Sequence, residues 1–204
     1  SRYVIAFEAY GGKRKKSDPP PSELGSTGDA VIRLMERAKV VGYNHILFLD
    51  SWFNSPLLVK RLDEMGIRTC GAIKSQRKHL PKCPRVPCGN KTKEDPNSPL
   101  SKVKLNQMQP GDFFHFHSGN ITYCVVKDKI IMRLLYNHTA GSNTIGRKMS
   151  DNTTKMVPLA LQHYSTYARG VDIVNQLHYN YIIGRKSKRC LFTMHMYMNK
   201  NKNK

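Results

Sequence analysis

The chain has 204 residues, with 34 Lys and Arg against 14 Asp and Glu, for a formal net charge of +20. No run approaches the ~20 consecutive apolar residues of a membrane span, no basic-then-apolar secretory leader is read at its start, and the composition is neither collagen-like nor low-complexity. The length suits one domain, or one domain with an insertion, and self-repulsion at this charge points to a polyanionic partner, nucleic acid before any membrane surface.

Taken in order, Tyr3 to Tyr10 is rich in β-branched and aromatic residues and reads as a strand, broken by Gly11-Gly12. Lys13 to Lys16 and Pro19 to Pro21 make a basic, solvated loop, and the four basic residues could also serve as a nuclear import signal. Thr27 or Asp29 is expected to cap a helix running to about Val41, with Val31, Leu34, Met35 and Ala38 on one face. His45 to Leu49 is a short, nearly continuous apolar run, as in a strand buried on both faces. It ends at Asp50. A second helix is expected to about Met65, striped by Leu57, Leu58 and Leu62 and stopped by Gly66, and a strand from Ile67 to Lys74 follows. Strand, helix, strand, helix, strand is an α/β pattern.

From Ser75 to about Val157 the chain is richer in Pro, Lys, Asn and Gly. Short strands are expected at Phe113–His117, Ile121–Val126 and Ile130–Tyr136, with Gly119-Asn120 as a hairpin turn. The expected division is a first core segment over 1–75, a β-rich insertion over 76–157, a helical return over 158–190, and a disordered basic tail over 191–204. The returning helix spans about Leu159 to Tyr181, with a break near Gly170. The five cysteines, Cys70, Cys83, Cys88, Cys124 and Cys190, are odd in number and do not form a secreted disulfide framework, so a reducing compartment is expected.

Asp50 closes a strand at the edge where open α/β sheets build their sites, and Asp172 lies in a helical segment. Two such carboxylates could hold Mg²⁺, a hard cation that takes oxygen ligands; equally, Asp50 could cap a turn and Asp172 could sit on a solvated helix face. Lys74, Arg77 and Lys78 follow one strand end, and Arg185, Lys186, Lys188 and Arg189 follow the Asp172 segment. Residues of this kind contact phosphates or merely solubilise a surface. Trp52 and Phe53, beside Asp50, could stack on an unpaired base or pack the turn on the core. His79, Cys83, Cys88, His115 and His117 could be assembled into a zinc site. The Cys83-x₄-Cys88 spacing is looser than structural zinc pairs, so zinc is not expected.

Leu49-Asp50-Ser51-Trp52-Phe53-Asn54-Ser55-Pro56-Leu57 resembles the second-aspartate motif of piggyBac-type transposases. Gly71-Ala-Ile-Lys74 with Arg77-Lys78 and Leu80-Pro81 resembles the next block of that family. Pro158, Tyr164, Gly170-Val171-Asp172 and Asn175-Gln176 resemble the third-aspartate block, which Tyr181 and Arg185 to Arg189 continue. The resemblance implies an RNase H-like mixed sheet with helices, interrupted by a β-rich insertion. It implies metal-dependent DNA cleavage and strand transfer at TTAA sites with Mg²⁺ or Mn²⁺, action in the nucleus, and a homodimer. Asp50 and Asp172 match the second and third catalytic and metal-holding aspartates. The first aspartate would fall just before Ser1, and the family's C-terminal cysteine-rich domain has no counterpart here. The expectation is therefore a transposase core fragment, catalytically incomplete as given, the alternative being a domesticated, non-catalytic DNA-binding protein.

Overall fold

Gly25–Ala38 forms helix α1, which buries Val31. In the computed structural model, which describes residues 6, 8, 20–88, 91–139, 143–149 and 152–168, this helix begins earlier than its sequence suggests. Its N-cap is Leu24, which makes no side-chain cap, so Thr27 and Asp29 lie inside the helix. Asp29 instead accepts from the Ser22 backbone N–H at 3.1 Å and from the Ser22 hydroxyl, tying down the entering chain. The end is a left-handed Lys39, whose N–H reaches back to the Glu36 and Met35 carbonyls.

Strand β1 (Ile46–Leu49), helix α2 (Pro56–Glu64) and strand β2 (Arg68–Ala72) form a parallel β-α-β unit, in register from Ile46 opposite Arg68 to Leu49 opposite Gly71. Ser55 caps α2 by accepting from Leu58 N–H, and Pro56 stands where a missing N–H costs no helical bond. Gly66 stops the helix at φ 71°, as its position predicts. The first of these strands packs on both faces, as expected: Leu47 and Leu49 lie against the cluster of α1 and α2, and Phe48 against the one on the opposite face. Among the described residues β1 pairs only with β2, and Ile46 at its start is 46% exposed.

The three later strands form close to their expected bounds, as β5 (Phe113–Ser118), β6 (Ile121–Lys127) and β7 (Ile131–Tyr136). Gly119 turns the first hairpin with a φ of 59°. β7 pairs antiparallel with β2, Cys70 opposite Tyr136, so a single five-stranded mixed sheet runs β1-β2-β7-β6-β5. Two small antiparallel pairs complete the strands among the described residues: β3 (Arg85–Cys88) with β4 (Lys91–Glu94), and β8 (Thr144–Lys148) with β9 (Thr154–Pro158). Helix α3 (Lys102–Gln107) lies between β4 and β5 in sequence, and α4 (Leu159–Tyr167) follows β9. The expected continuation of the last helix to Tyr181, the opening strand and the basic loop at Lys13 fall outside the described residues, apart from residues 6 and 8. The chain divides into two units, 1–168 and 169–204, and the second is also outside them.

Alternation along the central strands buries both faces of the sheet. On one face Cys124, Val126, Leu134 and Tyr136 meet Ala160 and Leu161 of α4. On the other Tyr123, Val125 and Leu135 meet Val59 of α2, Leu80 and Leu105. A third cluster packs α1 and α2 beside β1, through Val31, Leu49, Leu58, Leu62 and Ile67. The α2 stripe is thus Leu58, Val59 and Leu62, with Leu57 only half-buried. Asp63 of α2 accepts from Asn137 at 2.7 Å and from Asn120 at 2.6 Å, and the Asn137 carbonyl oxygen accepts from the Thr69 N–H at 2.6 Å. One carboxylate therefore joins α2 to the hairpin turn and to the end of β7. No described helix is long and apolar enough to cross a membrane.

Candidate functional site

The parallel pair β1 and β2 delivers Asp50 at the carboxyl end of β1, where the chain turns before α2. The turn is specific. Asp50 Oδ2 accepts from the Trp52 N–H at 3.0 Å, and its carbonyl accepts from the Phe53 and Asn54 N–H groups, each at 3.1 Å. Asn54 is fully buried and donates to the Ala72 carbonyl at 3.0 Å, which pins the turn to the end of β2. That close approach requires glycine at 71. A Cβ there would run into the Leu49 carbonyl oxygen and stand 2.8 Å from Asn54 Nδ2.

Arg77 closes the turn from the other side. Its guanidinium donates to the Trp52 carbonyl and, at 3.4 Å, to that of Ser51, while its Nε is buried without a partner. Lys74 places its ammonium 4.6 Å from the centroid of the Trp52 ring. Trp52 is 57% exposed and Phe53 38%, so neither ring is absorbed into the core. Lys74 and Lys78 are exposed. Beside them an open cleft of about 480 Å³ lies between the Ala72–Gln76 segment and the Ile130–Arg133 segment. Arg133 is a residue the sequence did not single out. The Ile73 N–H bonds to its carbonyl at 2.9 Å, a pairing across sixty positions of chain that leaves no local signal.

Asp50 is exposed, one carboxylate oxygen is engaged by Trp52, and the other has no protein partner among the described residues. It fits one ligand position of a hard divalent cation. Asp172, the expected second ligand, and Arg185, Lys186, Lys188 and Arg189 lie outside the described residues. Among the described residues no three His, Cys, Asp or Glu side chains come together. The grouping considered for zinc does not assemble there: His117 Nδ1 bonds with the Thr122 hydroxyl at 3.0 Å, and Cys83 lies 3.7 Å from the Asp95 carbonyl oxygen. Cys70 and Cys124 are buried, and burial raises both thiols to about 12, so they serve as small apolar residues.

Residues 1–198 match the family described as transposase IS4. Among solved structures, the chain is similar to a piggyBac transposase in a synaptic complex with hairpin DNA, determined by cryo-EM, with a TM-score of 0.58 and 18% identity. The match covers 90% of this chain and 32% of that one, so the chain spans about a third of its length. At this identity the likeness concerns the fold, and the mixed α/β sheet agrees with an RNase H-like core. No curated protein matches the sequence. The match along nearly its whole length shows that the chain belongs to the transposase IS4 family, with the fold of a piggyBac-type transposase core.

Proposed function

We propose that the chain forms part of the catalytic core of a DNA transposase that cuts and joins DNA at TTAA sites with a divalent metal ion. The observation that carries this reading is the exposed Asp50 carboxylate at the carboxyl end of a parallel strand, oriented by the Trp52 N–H on a turn that Asn54 and Arg77 hold, with Lys74 over the Trp52 ring. The family uses divalent ions generally. Asp50 and Asp172 would hold Mg²⁺ or Mn²⁺, and such an ion supplies activation of the nucleophile and stabilisation of the leaving 3′ oxygen.

The chain's own residues do the rest. The Trp52 N–H orients one Asp50 oxygen and leaves the other open. Lys74 and Lys78, with Arg185, Lys186, Lys188 and Arg189, contact phosphates without reading sequence. Arg77, given its bonds to two carbonyls, acts first by holding the turn and only then through its charge. Trp52 and Phe53 offer ring faces to an unpaired base. The working form is a nuclear homodimer.

Trp52 is the sole tryptophan of the chain, and its emission reports directly on the site. Duplex DNA should change that emission saturably, with an affinity that falls steeply as salt rises. Calorimetry should detect Mn²⁺ binding that Asp50→Asn abolishes. Equal Mn²⁺ binding by both proteins would remove Asp50 from the metal site. The alternative reading is a DNA-binding protein that keeps the fold without the chemistry. DNA binding with no Mn²⁺ binding at all would select it.

A further inference from the structure

The β3–β4 ribbon has no core of its own. All eight of its residues are exposed, and none belongs to the buried apolar clusters. A two-stranded hairpin without a buried face is marginal in water, yet the root of this one is fixed. The Asp95 N–H bonds to the Pro84 carbonyl at 2.9 Å, and the Glu94 carboxylate accepts from the Lys102 N–H at 3.2 Å.

Its two faces differ in charge. Opposed residues of an antiparallel pair share a face. Val86 opposite Lys93 and Cys88 opposite Lys91 make one face, and Arg85 opposite Glu94 and Pro87 opposite Thr92 make the other. The second face balances its arginine with an acid. The first carries two lysines and no acid, and neither lysine forms an ion pair among the described residues. Lys91 and Lys93 stand two residues apart, roughly 7 Å along the strand. One strand of duplex DNA carries a phosphate every ~3.4 Å of axis, so the two ammonium groups span about two phosphates. A two-stranded ribbon is also narrow enough to enter the major groove.

We infer that the Val86–Cys88–Lys91–Lys93 face is a second duplex-DNA contact, separate from the Asp50 site, with the two lysines on phosphates of one strand. This rests on the DNA-binding reading above and adds a surface which that reading does not contain. Lys78 and Lys82 lead from the Asp50 region into the ribbon, giving a basic path in sequence between the two contacts.

The test measures the affinity of the whole chain for a duplex of arbitrary sequence across a salt series. Three proteins are compared: the unaltered chain, Lys91→Ala/Lys93→Ala, and Lys60→Ala/Lys148→Ala, which removes the same charge from exposed positions on α2 and β8. The ribbon variant should flatten the slope of log K against log salt by about 2, and the control pair should flatten it by less than half as much. Equal flattening by both pairs would overturn the inference while leaving DNA binding intact. No binding by the unaltered chain would overturn both this inference and the function proposed above. Because the ribbon's residues are all exposed, its variant should keep the melting temperature of the parent. Cys88 gives an independent readout. Saturating duplex should slow its alkylation, read by peptide mass, and an unchanged rate would count against the contact.

Discussion

His138 is nearly buried, at 6% exposed, with its Nε2 2.9 Å from His163 Nδ1 on α4 and the rings of Phe48 and Tyr136 around it. Burial first, then the neighbouring His163, pushes its pKa down to about 4 from the usual 6.5, against a hydrogen bond with the Thr69 backbone. The folded chain therefore keeps this imidazole neutral where the unfolded chain takes up a proton. Its contribution to stability is complete above about pH 6.5 and is lost as pH falls toward 4, by up to roughly 3 kcal/mol. His138→Gln removes that titration. The gap in melting temperature between the variant and its parent should narrow or reverse on going from neutral pH to about 4.5, and a gap independent of pH would refute the assignment. The pairing was not legible from sequence, because His138 and His163 sit in different elements and only the packing of α4 on the sheet brings them together.

At the scale of elements, the β1–turn–α2–β2 unit holds Asp50 in place through contacts too close for any side chain at position 71. Gly71→Ala should destabilise the chain by about 1–3 kcal/mol, the usual cost of forcing a methyl group into packed space. The atoms it would meet are the Leu49 backbone and the buried Asn54 amide, neither the far end of a flexible side chain. A urea melt checks this, and a variant as stable as its parent would show that the strands can part without loss. Elements with a strong local pattern were readable: the Gly66 stop of α2 and the hairpin at Gly119 each follow from one or two residues. The start of α1 was not. Thr27 and Asp29 have cap chemistry, but the chain enters helix at Gly25 and Asp29 turns back to Ser22 instead. The β3–β4 and β8–β9 pairs were missed for a different reason. The first is wholly exposed and the second buries chiefly Val157 and Pro158 at one end, so neither sequence shows the sustained apolar alternation by which a half-buried strand is read.

For the whole molecule, the net charge of +20 acts against compactness, while the ion pairs among the described residues are few and largely exposed. Screening should therefore stabilise the fold. Melting temperature should rise by a few degrees between low and moderate NaCl, about what 1 kcal/mol produces in a domain of this size. The same salt should weaken DNA binding, so the two measurements move in opposite directions. A melting temperature that falls with salt would mean that attractive ion pairs outweigh the repulsion.

The sequence by itself determined the α/β class, the position of Asp50 at a strand end, the family and the basic surface, because each rests on local periodicity, short motifs or simple charge count. Only the tertiary structure decided that β7 pairs with β2, that Arg77 clamps the Asp50 turn, that Arg133 borders the cleft, and that the β3–β4 ribbon stands clear of the core. Those facts depend on which distant residues hydrogen-bond and pack together. A long-range pairing leaves almost no trace in the residues immediately beside it.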